Sequence, residues 1–309
     1  MDSLTVVIPT FNRSAILRRA LAAYVAQSTP RAVRELIVVD DGSTDDTEET
    51  VAELGRASPF PVRYLRQANR GPASARNAGI KGARAEVILF TDSDVVPDRD
   101  LVAQHLEWHN RYQQESVAVL GYVTWPAYPP PTPFMRWYGE RQLFDYRSIR
   151  HKQNVGFGAF YSCNVSVKTH FLLTKGQFNE DFKTAAYEDI ELGHRLGKAG
   201  LELMYNPLAV AYHHQFFSFA EACRKSNANS AARRVFLQTE VGQQVLEQQR
   251  QRRSRVSYRI ARLAATAMAT SLSPMNRLLD SSLPFPSYVY RLLYWHRTTN
   301  TLDLNDPVR

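Results

Sequence analysis

The run Val87–Asp94, VILFTDSD, sets an apolar stretch directly before two carboxylates one residue apart. Such acids are costly to bury unless something positive meets them. Residues i and i+2 of an extended segment point to the same side, so Asp92 and Asp94 present their oxygens together. Hard divalent cations favour carboxylate oxygen, and Mg²⁺ is usually held by one or two carboxylates with substrate phosphates completing its shell. The pattern therefore suits Mg²⁺ or Mn²⁺ on a phosphorylated substrate. Two more polar clusters follow apolar runs: Pro9-Thr10-Phe11-Asn12 and Asp40-Asp41-Gly42-Ser43. Phe11 offers a ring to stack on a base, and the acids can accept from a base N–H or from ribose hydroxyls. No Gly-x-Gly-x-x-Gly follows the first apolar run and no Walker loop is present, so neutralising phosphate falls to the cation.

Alternating elements would bring these clusters together. LTVVIP (4–9), ELIVVDD (35–41), VRYLRQ (62–67), EVILFTD (86–92) and SVAVLGYV (116–123) read as strands. Between them, Ile16, Leu17, Ala20, Leu21, Tyr24 and Val25 recur at helical spacing. Thr47–Leu54 suits a short helix capped by Asp45 or Asp46, residues 73–83 a second helix entered through Gly71-Pro72, and residues 99–112 a third. Strands alternating with helices predict crossover units in an α/β, doubly wound, mostly parallel sheet. Ligands bind such sheets outside the carboxyl ends of the strands, where all three clusters fall.

The chain of 309 residues is 44% hydrophobic and 22% charged, ordinary values for a folded protein with a large core. Its net charge of +8 lies entirely in the tail, because 14 Lys and Arg oppose 6 Asp and Glu from His213 onward. Two cysteines, Cys163 and Cys223, are too few for a disulfide framework and are expected as free thiols. No signal peptide is read at the start, and the longest weakly polar run, Leu263–Leu272, falls short of the roughly 20 residues that span a bilayer. A cytoplasmic location, extending to the inner face of the cell membrane, is the expectation.

Five stretches, VVIPTFNR (6–13), IVVDDGSTDDT (37–47), NRGPASARNAGI (69–80), VILFTDSD (87–94) and YEDIELGHRLGKAG (187–200), stand in the order and approximate spacing of the family 2 glycosyltransferases. The chain resembles that family over roughly residues 4–215. The resemblance implies a GT-A fold and an inverting transfer of a sugar from a nucleoside-diphosphate-sugar, with a UDP-sugar the leading donor. It also implies roles. Pro9, Thr10, Phe11, Asn12, Asp41, Arg76, Asp92 and Ser93 would bind the nucleotide-sugar. Asp94, with Asp92, would ligate the metal, and a histidine after a later strand, His213 or His214 with His213 favoured, would join it. Asp189 would be the catalytic base, beside Glu188. Where many members carry Gly-Gly-Phe-Asp-Glu, this chain reads KGQFNED (175–181).

Displacing a diphosphate from an anomeric carbon needs charge stabilised on the leaving group and a base for the acceptor hydroxyl. Asp189 opens a helical stretch, with Ile190, Leu192 and Leu196 for its buried face, and the helix dipole favours its ionised form. Asn164 is a candidate floor of the acceptor pocket, and Trp125 and Trp137 are candidate acceptor contacts because sugar faces pack on aromatic rings. Expected boundaries are a catalytic domain over 1–217, with donor half 1–123 and acceptor half 124–217, and a basic helical extension over 218–309. Six arginines between Arg250 and Arg262 and the aromatic segment LPFPSYVYRLLYWHR (283–297) suit either contact with an anionic membrane surface or packing within a helical subdomain or a homodimer. Nucleic acid is not expected as a partner, since no recognition module is present. The acceptor would be a glycan or a lipid-linked hydroxyl, as in polysaccharide biosynthesis. Two other readings are a sugar-1-phosphate nucleotidylyltransferase, whose Gly-rich basic loop is missing from IPTFNRSAI, and an inactive scaffold, which the retained aspartates disfavour.

Overall fold

A computed structural model describes residues 1–149, 154–253 and 256–298. In chain order the first elements are β1 (Leu4–Thr10), α1 (Ser14–Val25), β2 (Val33–Asp40), α2 (Thr47–Ala57), β3 (Val62–Arg66) and α3 (Pro72–Gly82). They continue as β4 (Val87–Thr91), β5 (Val95–Pro97), α4 (Leu101–Arg111), β6 (Val117–Thr124), α5 (Pro133–Tyr138) and α6 (Tyr146–Ile149). β7 (Asn164–Lys168), α7 (Thr169–Lys175), α8 (Glu188–Lys198), β8 (Glu202–His213), α9 (Phe219–Ala228), α10 (Ser230–Gln238), α11 (Glu240–Arg253), α12 (Val256–Leu272) and α13 (Ser287–Arg297) complete the chain.

The chain divides into two compact units, residues 1–124 with 145–215, and residues 125–144 with 216–309. The expected boundary at 217/218 thus misses one feature: the segment 125–144 belongs with the tail.

The first unit holds an eight-stranded sheet in the order β3-β2-β1-β4-β7-β6-β8-β5. β1 to β4 pair in parallel, and every residue of β1 and β4 is buried, as strands covered on both faces must be. The chain winds from β1 outward to β3 and returns to the other side of β1 with β4. That reversal is a switch point, where a crevice opens above the strand ends. α3 lies against β1 at Gly79, where a side chain would run into Val7.

Beyond β4 the expected parallel series gives way to a mixed sheet. β7 enters antiparallel between β4 and β6, and β5 pairs antiparallel with β8, while β6 and β8 run parallel. Three of the seven pairings are therefore antiparallel. β5 has only three residues, too few for a periodic signal in the sequence.

Asn164, expected at the acceptor floor, is instead a tie among strands. It is 1% exposed; its Nδ2 donates to the carbonyls of Ala209 and Tyr122 at 2.9 and 3.3 Å. Its Oδ1 lies 2.9 Å from His105 Nε2, and Ser166 Oγ lies 2.8 Å from both His105 Nδ1 and His109 Nε2. Burial pushes the His105 imidazole down to about 4, so it stays neutral near pH 7.

In the second unit, Phe134, Trp137, Tyr138, Phe217, Phe219, Tyr290, Leu293 and Tyr294 form one aromatic core. Phe134 meets Phe219 edge to face at 5.4 Å, and Tyr138 meets Phe217 the same way at 5.5 Å, the arrangement ring quadrupoles favour. α5 starts at Pro133 beneath the Thr132 hydroxyl, which accepts from Met135 N–H, and Ser218 with Glu221 makes a capping box on α9. The second half of the aromatic segment offered to a membrane is thus interior, since Tyr290, Leu293, Tyr294 and Trp295 are all buried, while Leu283 and Tyr288 in its first half are exposed. Of the six tail arginines, Arg255 lies outside the described residues. Among the described residues no helix is long and apolar enough to cross a membrane, and Cys163 and Cys223 are free and buried.

Asn164→Ala should lower unfolding free energy by about 2–3 kcal/mol, because it strands buried carbonyls and a buried imidazole. A urea titration would read this loss, and an unchanged midpoint would show that the side chain ties nothing.

Candidate active site

β1, β2 and β4 lie side by side, and the clusters that follow them share one edge of the sheet. At the first, Phe11 is exposed, as a base-stacking ring requires. Asn12 has φ 51°, a left-handed conformation that asparagine tolerates better than most residues. Its N–H donates to Ser43 Oγ at 2.8 Å and its Oδ1 accepts from Thr44 N–H at 2.7 Å, so the loops after β1 and β2 are stitched together. Pro9 and Thr10 are buried within β1 and present no side chain at the rim. Asp46 holds the cap position of α2 without a side-chain bond, while Asp45 accepts from Ser14 N–H at 2.9 Å and from the hydroxyl of Thr47, the first residue of the helix.

Asp41 sits at the expected edge but with its oxygens engaged. Gln67 Nε2 and Arg70 N–H donate to Oδ1 at 2.7 and 2.8 Å, and Gly71 N–H donates to Oδ2 at 2.8 Å. It anchors the 67–71 loop, and room for about one more donor remains on the carboxylate.

After β4, Asp94 is placed by the β5–β8 pairing, in which Val95 stands opposite His213 and Asp94 O accepts from His214 N–H at 2.7 Å. His213 Nε2 lies 3.9 Å from Asp94 Oδ1, and the Arg13 guanidinium contacts Asp94 Oδ2. A carboxylate and an imidazole side by side fit a divalent cation whose remaining ligands come from substrate and water. The guanidinium on the second oxygen shows that this carboxylate accepts positive charge. Ser93 is buried beside them. A cleft of about 340 Å³ lined by Arg13, Ser14, Asp45, Asp94, His214 and Gln215 opens next to it. Among the described residues no group of three or more His, Cys, Asp or Glu gathers as a closed cage.

Asp92 takes another partner. Arg76, on α3 and 2% exposed, donates from Nη2 to Asp92 Oδ1 at 2.8 Å and from Nη1 to Glu188 Oε1 at 2.9 Å. Its guanidinium lies 5.3 Å from the centre of the Phe178 ring. Asn77 beside it donates to Phe178 O at 2.9 Å and to Glu180 Oε1 at 3.0 Å, and its Oδ1 accepts from Phe178 N–H. The SARN stretch, expected at the nucleotide, therefore grips the KGQFNED segment and the start of α8. Phe178, shared with the family pattern, supplies that contact whatever stands at Gln177 and Asn179.

Glu188 and Asp189 open α8 behind Tyr187, whose φ of 70° is unusual for a non-glycine residue and costs about 1–3 kcal/mol. Asp189 Oδ1 accepts from Ile190 N–H at 2.8 Å. Burial and the neighbouring Glu188 push the Asp189 carboxyl up to about 7, while Arg76 pulls the other way. Burial also raises Glu188, again opposed by Arg76. An acid poised there is matched to taking a proton near neutral pH.

Trp125 and Trp137 belong to the second unit and form no part of this group. Trp137 is core, 5.7 Å from Tyr290 and 5.8 Å from Tyr294 by ring centres, and Trp125 Nε1 donates to Met135 O at 2.9 Å. Residue order does not single out Arg13 or Asn77, which act through contacts across 81 and 101 residues.

Comparison with other proteins agrees with this geometry. The family described as glycosyl transferase family 2 matches residues 5–162. A validoxylamine A glucosyltransferase of Streptomyces hygroscopicus is 30% identical over 223 residues, 65% of this chain and 52% of the relative. Chondroitin synthase of Escherichia coli is 28% identical over 246 residues, 70% of this chain and 35% of that protein. The chain thus spans about half or less of these curated relatives. Among solved structures, a mannosyltransferase from Pyrobaculum calidifontis in complex with GDP-Man and Mn²⁺ superposes with a TM-score of 0.65 at 20% identity, covering 96% of this chain and 85% of that one. S. aureus TarS 1–349 with UDP gives 0.56 at 17% identity over 99% and 89%. These likenesses establish the GT-A fold.

Asp189→Asn should raise the melting temperature at pH 8 by about 2–4 °C and by only about a third as much at pH 5. An acid whose folded pKa is raised binds its proton more tightly in the native state, so its ionisation lowers stability as pH climbs from about 4 toward 7. Scanning calorimetry at the two pH values reads the difference; equal shifts at both would show that the carboxyl is not raised.

Proposed function

Because the chain belongs to glycosyl transferase family 2, we propose that it is an inverting glycosyltransferase that moves a sugar from a nucleoside-diphosphate-sugar to a hydroxyl of a glycan or lipid-linked acceptor. The observation that carries the reading is the division of acids at one sheet edge. Asp94 lies against His213 on one side, and Asp189 opens α8 on the other, next to the Glu188 that Arg76 holds.

In this reading Phe11 stacks on the base and the loops tied by Asn12 and Asp41 frame the nucleoside. Asp94 and His213 would hold Mn²⁺ or Mg²⁺. Bound there, such a cation supplies positive charge to the departing diphosphate. Asp189 takes the proton of the acceptor hydroxyl as its oxygen bonds to the anomeric carbon, and the bond from that carbon to the diphosphate oxygen breaks with its electron pair. One carboxylate suffices, because the leaving group departs from the opposite face and inverts the centre. Solved neighbours carry GDP-Man in one case and UDP in another, which supports a nucleotide-sugar donor and leaves UDP-sugars the first to try.

A thermal-shift panel of UDP, GDP and dTDP with and without Mn²⁺ tests the donor side. One diphosphate should raise the melting temperature only with metal, since a ligand bound by the native state alone stabilises it. Asp94→Asn should abolish that increment and lower kcat at least 100-fold. Full turnover by Asp94→Asn in chelated buffer would remove the proposal.

A further inference from the structure

The motif that carries Arg76 is read most simply as a nucleotide contact, yet its geometry is that of an interior brace. Its side chain is 2% exposed. Each terminal nitrogen faces a different acid, Asp92 after β4 and Glu188 on α8, and the aromatic face of Phe178 lies against the guanidinium. A planar fork can satisfy two carboxylates on separate elements, whereas a lysine ammonium cannot reproduce that reach. Asn77, next in sequence, fastens the same segment through Phe178 and Glu180. α3 therefore joins the donor edge of the sheet to the helix that bears the base.

We propose that Arg76 is a positioning residue, a buried strut that ties Asp92 to the start of α8 and sets both the orientation and the electrostatic surroundings of Asp189, in place of binding the nucleotide. This deepens the transferase reading and rests on it. The groups around Asp189 divide by sign. Glu188 adjoins it on α8, Arg76 reaches in from α3 with Asp92 behind it, and Tyr161 and Cys163 approach from the segment leading into β7. Burial raises both Tyr161 and Cys163, leaving them neutral near pH 7. The charges that act on Asp189 are thus one acid beside it and one guanidinium that both supports and offsets that acid. Removing either changes the base in opposite directions.

The test is the pH dependence of kcat/KM, whose acidic limb reports the base in the free enzyme. Glu188→Gln should move that limb down by about one pH unit, and Arg76→Met should move it up by about as much. Arg76→Met combined with Glu188→Gln should return it toward the wild-type position and guards against a fold weakened by an unpaired buried acid. Arg76→Lys should keep the limb within a few tenths of a unit while kcat falls about tenfold or more, as orientation is lost with charge retained. Calorimetric affinity of Arg76→Lys for the responding nucleoside diphosphate with Mn²⁺ should stay within about threefold of wild type. A limb unmoved in both Glu188→Gln and Arg76→Met, or affinity lost tenfold with the limb in place, would overturn the strut. Asp189→Asn separates the two levels. Loss of turnover at every pH keeps the base reading while the limbs decide Arg76, and retained turnover removes the base reading itself.

Discussion

One guanidinium lets three acids share a confined space. Glu188 and Asp189 gather beside Asp92, burial raises both of them, and without a cation among the three repulsion would push α8 away. Arg76 meets two of them directly and lowers the third through space. A buried ion pair of this kind is a poor source of net stability, because desolvation offsets attraction. Its value here is placement. The same contact that balances charge fixes the head of α8 against the ends of the parallel strands.

The sheet supplies the other constraint. Reversal of winding at β1 and β4 opens the crevice, and the short return of β5 onto β8 brings His213 to Asp94 from 119 residues downstream. Neither residue is exposed enough to wander, so the proposed cation-binding pair is set by strand register. Left-handed residues mark the two loops that finish the site, Asn12 on the donor side and Tyr187 before Glu188. Strain of that kind persists only where surrounding contacts hold it in place.

Much of this could be read from residue order. Apolar runs ending in polar clusters located β1, β2 and β4, because a strand buried on both faces leaves an unmistakable block and its polar terminus must lie at an edge. The five ordered stretches pointed to the family, and the structure sets Asp94 beside His213 and Asp189 at the head of α8. The contact partners did not follow. Arg76 looks like any cation near a nucleotide until α3 is seen facing α8. Asn164 looks like a polar residue at a strand start, and its burial against His105 depends on α4 crossing that face. Trp137 was offered to sugar because rings suit both sugars and cores, and only the packing of 125–144 against residues from 216 onward decides between them. β5 is too short to announce itself, although it places the histidine.

At the centre of the account is a single base, Asp189, proposed to act on the far side of the anomeric carbon from the leaving diphosphate. Its most direct test is the configuration of the first product, read by proton NMR during turnover of an α-linked nucleoside-diphosphate-sugar. The account predicts a β-linked product from the earliest time points. An α-linked product would contradict it, since retention requires a second displacement or attack on the same face.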